Sequence, residues 1–308
     1  MRTVLPGAVF LVALMTVGHA QRGSGGKVVI AHRGASAYAP EHTTAAYRLA
    51  IVQQVDYVEQ DLAVTKDGQL ICLHDDTLER TTSVASVFPE RFAVGTGGRR
   101  GPVKQWIAND FTLEEIKRLD AGRWFHAKFA GEPVPTWQEA IDLVRATPGM
   151  GMYPELKSPP LYTGRGVDMV RLFVESVKKN GMDRPESLRT TPMIIQSFDE
   201  ATIRRLAKEL PGVPRVLLMG SFPAGGMTDA RLREIKTFAD GIAPAKDLVT
   251  GQPDVVKRAH DVGLTVTAYT FRSSNAGPFP NVRAEMSHFL STLGIDAVFT
   301  DNPDQFPR

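Results

Sequence analysis

Short apolar runs alternate with longer amphipathic stretches along most of the chain. The runs are residues 27–31 (KVVIA), 56–65 (DYVEQDLAVT), 151–157 (GMYPELK), 192–196 (PMIIQ), 214–219 (PRVLLM), 240–244 (DGIAP), 264–269 (LTVTAY) and 296–300 (DAVFT). Brief apolar runs bounded by turn residues predict strands buried on both faces, as in a parallel sheet. Between them, apolar positions recur at helical spacing and predict helices over 41–54, 136–146, 167–179, 228–238, 253–262 and 282–293. Thr43 or Thr44 can cap the first, with Ala46, Leu49 and Ala50 as its buried stripe. Thr112 to Glu115, Thr136 to Glu139 and Ser197 to Glu200 each have the form of a capping box. Eight strands mostly alternating with helices favour an α/β fold of the (β/α)8 TIM-barrel type over an open doubly wound sheet. The sequence holds no Gly-rich dinucleotide fingerprint, which points the same way.

Two stretches break the pattern. Strand 56–65 turns back on itself through Asp67-Gly68, a two-residue hairpin signal, into a return strand at 70–73. In a strand, residues two apart share a face, so Glu59 and Asp61 project together about 7 Å apart. Counting back from the loop pairs Thr65 with Leu70 and Asp61 with His74, whose Cβ atoms would lie about 5 Å apart. The second stretch, 83–134, has no clear period and contains a Gly-rich segment at 95–101. It reads as a small loop-rich insertion after the second barrel strand, lying over the site as a lid.

Residues 1–20 have the form of a secretory signal: Arg2, an apolar run over 8–17, then Gly18-His19-Ala20 suited to cleavage. An uncleaved anchor is the alternative, but the run is short for a membrane span. Residues 21–26 read as a flexible leader, and 27–308 as one barrel domain. The expectation is a periplasmic or secreted protein with no stable membrane insertion once the signal is removed. Net charge is +2 with both signs interspersed, which suggests no nucleic-acid partner. Cys72 is the only cysteine, so no internal disulfide can form, and it reads as a small core residue. The sequence leaves the oligomeric state open.

In such barrels chemistry collects where strands end. His32, Arg33, Glu59, Asp61, Glu155, Lys157, Gln196, Tyr269 and Asp301 all stand at or near those points. Singly, each has an ordinary explanation as a cap, an ion pair or a turn. Carried together on six strand ends, they point to one site. Glu59, Asp61 and Glu155 are three oxygen donors, which suit a hard divalent ion such as calcium or magnesium. Arg33 offers a fork that fits phosphate, and Lys157 a second positive charge. His32 and His74 can carry protons near neutral pH. Metal, cationic clamp and two imidazoles together fit phosphodiester cleavage.

At these residues the chain resembles the glycerophosphodiester phosphodiesterase family. The matching motifs are HRGAS at 32–36, PEHT at 40–43, EQD at 59–61, TKDG at 65–68, HDDTLERTT at 74–82, PELK at 154–157, QSF at 196–198 and TDNPD at 300–304. They cover nearly all of the chain after the leader, and with AYTFRS at 268–273 they look closest to the periplasmic members. The resemblance implies Glu59, Asp61 and Glu155 as metal ligands, with calcium favoured and magnesium second. It implies His32 and His74 as the acid–base pair, Arg33 and Lys157 as contacts to phosphate or to metal ligands, and Gln196 and Tyr269 as pocket lining. The implied reaction is hydrolysis of small-molecule glycerophosphodiesters to sn-glycerol 3-phosphate and an alcohol. Many relatives carry PENT where His42 stands, and Trp near the last strands where Tyr269 and Phe271 stand. These departures bear on head-group contacts. A lipid-directed phosphodiesterase, lysophospholipase D or sphingomyelinase-like, is the competing enzyme reading and would need an acyl groove in 83–134. An exported phosphate-ligand binding protein is the non-enzyme reading, and paired proton carriers argue against it.

Overall fold

The computed structural model describes residues 26–96 and 101–308, so the signal segment and nearly all of the leader lie outside the described residues. The strands in chain order are β1 (Val28–Ala31), β2 (Tyr57–Val64), β3 (Leu70–Cys72), β4 (Ala93–Gly95), β5 (Val103–Gln105), β6 (Gly151–Leu156), β7 (Ile195–Ser197), β8 (Arg215–Met219), β9 (Gly241–Pro244), β10 (Thr265–Phe271) and β11 (Ala297–Thr300). Pairing runs β1-β11-β10-β9-β8-β7-β6-β2, and β2 returns to β1, so eight parallel strands close a barrel. All eight begin within a few residues of the apolar runs. Closure explains why those runs are continuous: one face packs inside the barrel and the other under helices.

The barrel interior is graded along each strand. Ile30, Tyr57, Tyr153, Val216, Leu218, Ala243, Ala297 and Phe299 form an apolar cluster inside it. Tyr153 meets Tyr57 and Phe299 edge-on, with ring centroids 5.7 and 5.0 Å apart. The next residues on the same strand faces are His32, Glu59, Asp61, Glu155 and Asp301. Strands β1, β2, β6 and β11 thus supply floor first and chemistry at their C-terminal ends.

Helices cover the outside. Thr44–Val52 starts later than the pattern suggested because Thr43 is its cap, accepting from the Ala46 amide. The capping boxes at Thr112 and Thr136 are formed, with Glu115 and Glu139 reaching back. The third is not. Ser197 still belongs to β7 and donates to the Leu156 carbonyl, while Asp199 caps the helix Glu200–Glu209. Region 167–179 begins its helix only at Met169, and a separate helix, Pro159–Gly164, precedes it. The short helices Pro185–Thr190 and Lys246–Gly251 are too brief to show a period in sequence. Region 282–293 is α-helical only to Ser287 and widens into a π turn at His288–Thr292.

The hairpin forms in a different register. Leu62 faces Cys72 and Val64 faces Leu70, and the Leu73 amide donates to the Asp61 carbonyl at 2.9 Å. Asp61 therefore does not stand opposite His74. The loop holds three residues rather than two, with Gly68 at φ +77°. Thr65 closes it by pairing with Gln69, because the Lys66 amide is drawn away to the Phe111 carbonyl. The lid expected of segment 83–134 is not formed by its described residues, none of which lines the central cavity. The segment braces the hairpin: Asn109 donates to the Val64 and Thr65 carbonyls, and Trp106 and Phe111 are buried. Its two-stranded ribbon, β4 with β5, carried no sequence period.

Candidate active site

One cavity of about 180 Å³ opens at the C-terminal ends of the barrel strands. The nine residues given a site role from sequence all line it: His32, Arg33, Glu59, Asp61, His74, Glu155, Lys157, Gln196 and Tyr269; Asp301, also singled out at a strand end, stands behind His32. The size of the cavity suits a small polar molecule. Parallel register sets part of the array, since Asp61 lies beside Glu155 and Glu155 beside Gln196.

The carboxylates are buried, Glu59 at 2%, Asp61 at 1% and Glu155 at 6% exposure. Burial and the adjacent Asp61 charge push Glu59 well above the ordinary carboxyl range. Glu155 rises for the same two reasons, against the pull of Lys157. Asp61 moves the other way. Burial opposes its charge, but a hydrogen bond from His42 and the charges of Arg33 and Lys157 hold it well below the usual range. Its Oδ1 is buried without a partner. Three facing carboxylates, two of which resist ionisation, together with an orphaned oxygen, fit a hard divalent cation.

His42 joins this cluster, a role that the sequence did not reveal. One of its ring nitrogens, one Glu59 oxygen and one Asp61 oxygen lie within 4.8 Å of one another. Nε2 is 2.9 Å from Asp61 Oδ2, and Nδ1 is 2.9 Å from the Tyr47 hydroxyl. The network assigns the tautomer: Nε2–H donates to the ionised Asp61, so Nδ1 accepts from Tyr47. His42 reaches inward from a left-handed conformation, φ +55°, which no sequence period signals.

Arg33 is held on three sides. Its amide donates to Glu59 Oε2 at 2.5 Å, its Nη1 to Glu41 at 3.0 Å, and its Nε lies 3.3 Å from Asp61. Lys157 Nζ is 3.2 Å from both Glu155 Oε1 and His74 Nε2. Each of the two histidines singled out from sequence has a carboxylate behind it. His32 Nδ1 meets Asp301 and His74 Nδ1 meets Asp75, both at 2.6 Å. Such a partner holds Nδ1–H and turns Nε2 toward the cavity, where that of His74 accepts from Lys157 Nζ. Burial and the Arg33 charge bring His32 down to about 4, against the pull of Asp301, so it is neutral near pH 7. Gln196 Oε1 is buried and unpartnered, whereas Tyr269 bonds the Met219 carbonyl and presents its ring.

A sequence profile described as the glycerophosphoryl diester phosphodiesterase family matches residues 32–305. A glycerophosphodiester phosphodiesterase of Bacillus subtilis is 35% identical, covering 91% of this chain and 85% of its own. One of Haemophilus influenzae is 29% identical, covering 90% and 88%. The chain belongs to the glycerophosphoryl diester phosphodiesterase family. Among solved structures, an Oleispira antarctica phosphodiesterase in complex with the product sn-glycerol-3-phosphate is similar, at 26% identity and TM-score 0.69, covering 90% of this chain and 94% of that one. An Agrobacterium tumefaciens glycerophosphodiester phosphodiesterase has 25% identity and TM-score 0.63, covering 91% and 98%.

Within this phosphodiesterase fold, several cavity or supporting residues had no role assigned from sequence. Asp75 adjoins His74 in the HDD motif, and Asp301 opens the DNPD run, so adjacency could have shown both. Arg272 and Phe198 line the cavity, Arg272 pairing with Asp301 at 3.0 Å. Cys72 is buried, and burial pushes its thiol up to about 12, as befits a core residue.

Proposed function

We propose that the protein hydrolyses glycerophosphodiesters to sn-glycerol 3-phosphate and the free alcohol, with His32 and His74 as its proton carriers. The observation that carries this reading is their shared cavity: two imidazoles, each oriented by a carboxylate, beside an acidic cluster and the cations Arg33 and Lys157. Glu59, Asp61 and Glu155 would hold a divalent cation, calcium in preference to magnesium because three carboxylates offer many oxygens at adaptable spacing. Bound there, it supplies Lewis-acid stabilisation of a phosphoryl oxygen. Arg33 and Lys157 bind the phosphate anion, and Gln196 offers Oε1 to a substrate hydroxyl. His32, neutral and buried, takes the proton from the nucleophile, either water or the neighbouring glycerol hydroxyl. His74, partly exposed at the mouth with its Nδ1–H held by Asp75, takes up a proton from solvent at Nε2 and passes it to the departing alkoxide.

The aromatic residues that a lipid-directed enzyme would place in an acyl groove argue for a small substrate. Trp106 and Phe111 are buried under the hairpin, away from the cavity. His32→Ala and His74→Ala should each lower turnover of glycerophosphocholine on the order of 10²-fold or more, with unchanged circular dichroism. Chelation should abolish turnover, and added calcium should restore it. Near-normal turnover in both variants would remove the proton-carrier roles, and chelator-insensitive turnover would remove the cation.

Export remains part of the same proposal, supported by Arg2, the apolar run and the small residues ending at Ala20. N-terminal sequencing of protein recovered outside the cytoplasm should begin at Gln21. An intact Met1 in that fraction would contradict it.

A further inference from the structure

Arg80 stands outside the cavity, with its side chain 41% exposed, yet it ties together two of the groups inside. Its Nε and Nη2 meet Asp75 Oδ2 and Oδ1 at 2.5 and 3.1 Å. Its Nη1 and Nη2 meet Glu41 Oε2 and Oε1 at 2.9 and 2.7 Å. One fork therefore grips two carboxylates, each in bidentate fashion, which only a planar guanidinium can do.

Neither carboxylate ends at Arg80. Asp75 Oδ1 also accepts from His74 Nδ1 at 2.6 Å, and Glu41 Oε1 from Arg33 Nη1 at 3.0 Å. The result is a continuous bracket, His74–Asp75–Arg80–Glu41–Arg33, joining the loop after β1 to the segment after β3. Burial works against the Glu41 charge, but the bond from Arg80 and the charge of Arg33 outweigh it and bring the carboxyl down to about 2. Glu41 therefore stays ionised and grips both arginines.

The loop that carries Arg33 and Glu41 needs such a hold. Arg33 and His42 both lie in the left-handed region, at φ +57° and +55°, which costs energy for residues with a Cβ. An ordinary exposed ion pair would leave its carboxylates free to exchange partners with water. Here each carboxylate is pinned between Arg80 and a group that faces the cavity.

We infer that Arg80 is a positioning residue, fixing the aim of the His74 ring and the Arg33 fork relative to each other through Asp75 and Glu41. The inference rests on the proposed role of His74 as a proton carrier. Misaim of a proton carrier by a fraction of its hydrogen-bond length is enough to cost much of its effect.

The test compares R80A, R80K, D75N, the R80A/D75N double variant and H74A on glycerophosphocholine in calcium. R80A should lower kcat on the order of 10- to 100-fold with an unchanged melting temperature. R80K should recover only part of it, because an ammonium cannot fork across both carboxylates. Guanidinium ion should restore R80A, since the vacated site is open to solvent. R80A/D75N should fall by less than the product of the two single effects, because D75N has already broken the arm that runs through Asp75. Imidazole ¹⁵N NMR should show Nδ1 of His74 protonated and hydrogen-bonded to Asp75 in the parent, with the Nδ1–H and Nε2–H tautomers mixed in R80A. Unchanged kcat and tautomer in R80A, with H74A inactive, would overturn the role of Arg80 alone. A fall in R80A matched by a lower melting temperature and additive with D75N would also overturn it. Full turnover in H74A would instead remove the reading beneath.

Discussion

Glu59 and Glu155 face Asp61 with little exposure to solvent, and the three cannot all be ionised there without a compensating charge. The pKa values of Glu59 and Glu155 are raised, so each tends to keep its proton above its ordinary value, while Asp61 stays ionised. A divalent ion must displace those protons to bind. Calcium affinity should therefore rise with pH above the ordinary carboxyl range, with proton release in calorimetry. Affinity independent of pH, with no protons released, would contradict the raised pKa values. The same residues show how far residue type could be read. Glu59, Asp61 and Glu155 were recognisable because carboxylates on a strand face have few other uses in a barrel interior. His42 was not, because its place depends on a loop conformation and on Tyr47 meeting its far nitrogen.

The β1 loop shows what one element contributes. Gly34 sits at φ +86°, and a Cβ there would stand 2.7 Å from the Ala46 backbone, where the first helix begins. That close approach lets the loop turn sharply, so that His32 and Arg33 stay at the barrel mouth. Gly34→Ala should destabilise the protein by about 1–3 kcal/mol in denaturant unfolding and lower turnover through the shifted Arg33. Wild-type stability and turnover would show that the loop accommodates a side chain. The hairpin teaches the opposite lesson. Its existence was legible in Asp67-Gly68, but its register was not. A carbonyl at Phe111, more than forty positions along, captures the Lys66 amide and lengthens the loop by one residue. His74 still reaches the cavity because the chain has left the strand by that point, so its position follows from the bend and not from cross-strand pairing.

At the scale of the molecule, the barrel gathers strand ends that lie far apart in sequence onto one rim. The floor of Tyr57, Tyr153 and Phe299 keeps the acidic cluster at the mouth and closes the barrel beneath it. The insertion shows the limit of reading loops by length: its Trp106 and Phe111 are buried, and none of its described residues lines the cavity. The sequence by itself determined the eight strands, the alternation with helices, the family motifs and the chemical types of the cavity residues. These are local properties of the chain, set by period, by strand-face alternation and by side-chain identity. Only the tertiary structure decided the hairpin register, the contact of His42 with Asp61, and the bracket by which Arg80 joins Asp75 to Glu41. Each of those depends on where two separate segments meet in space, which no window of sequence contains.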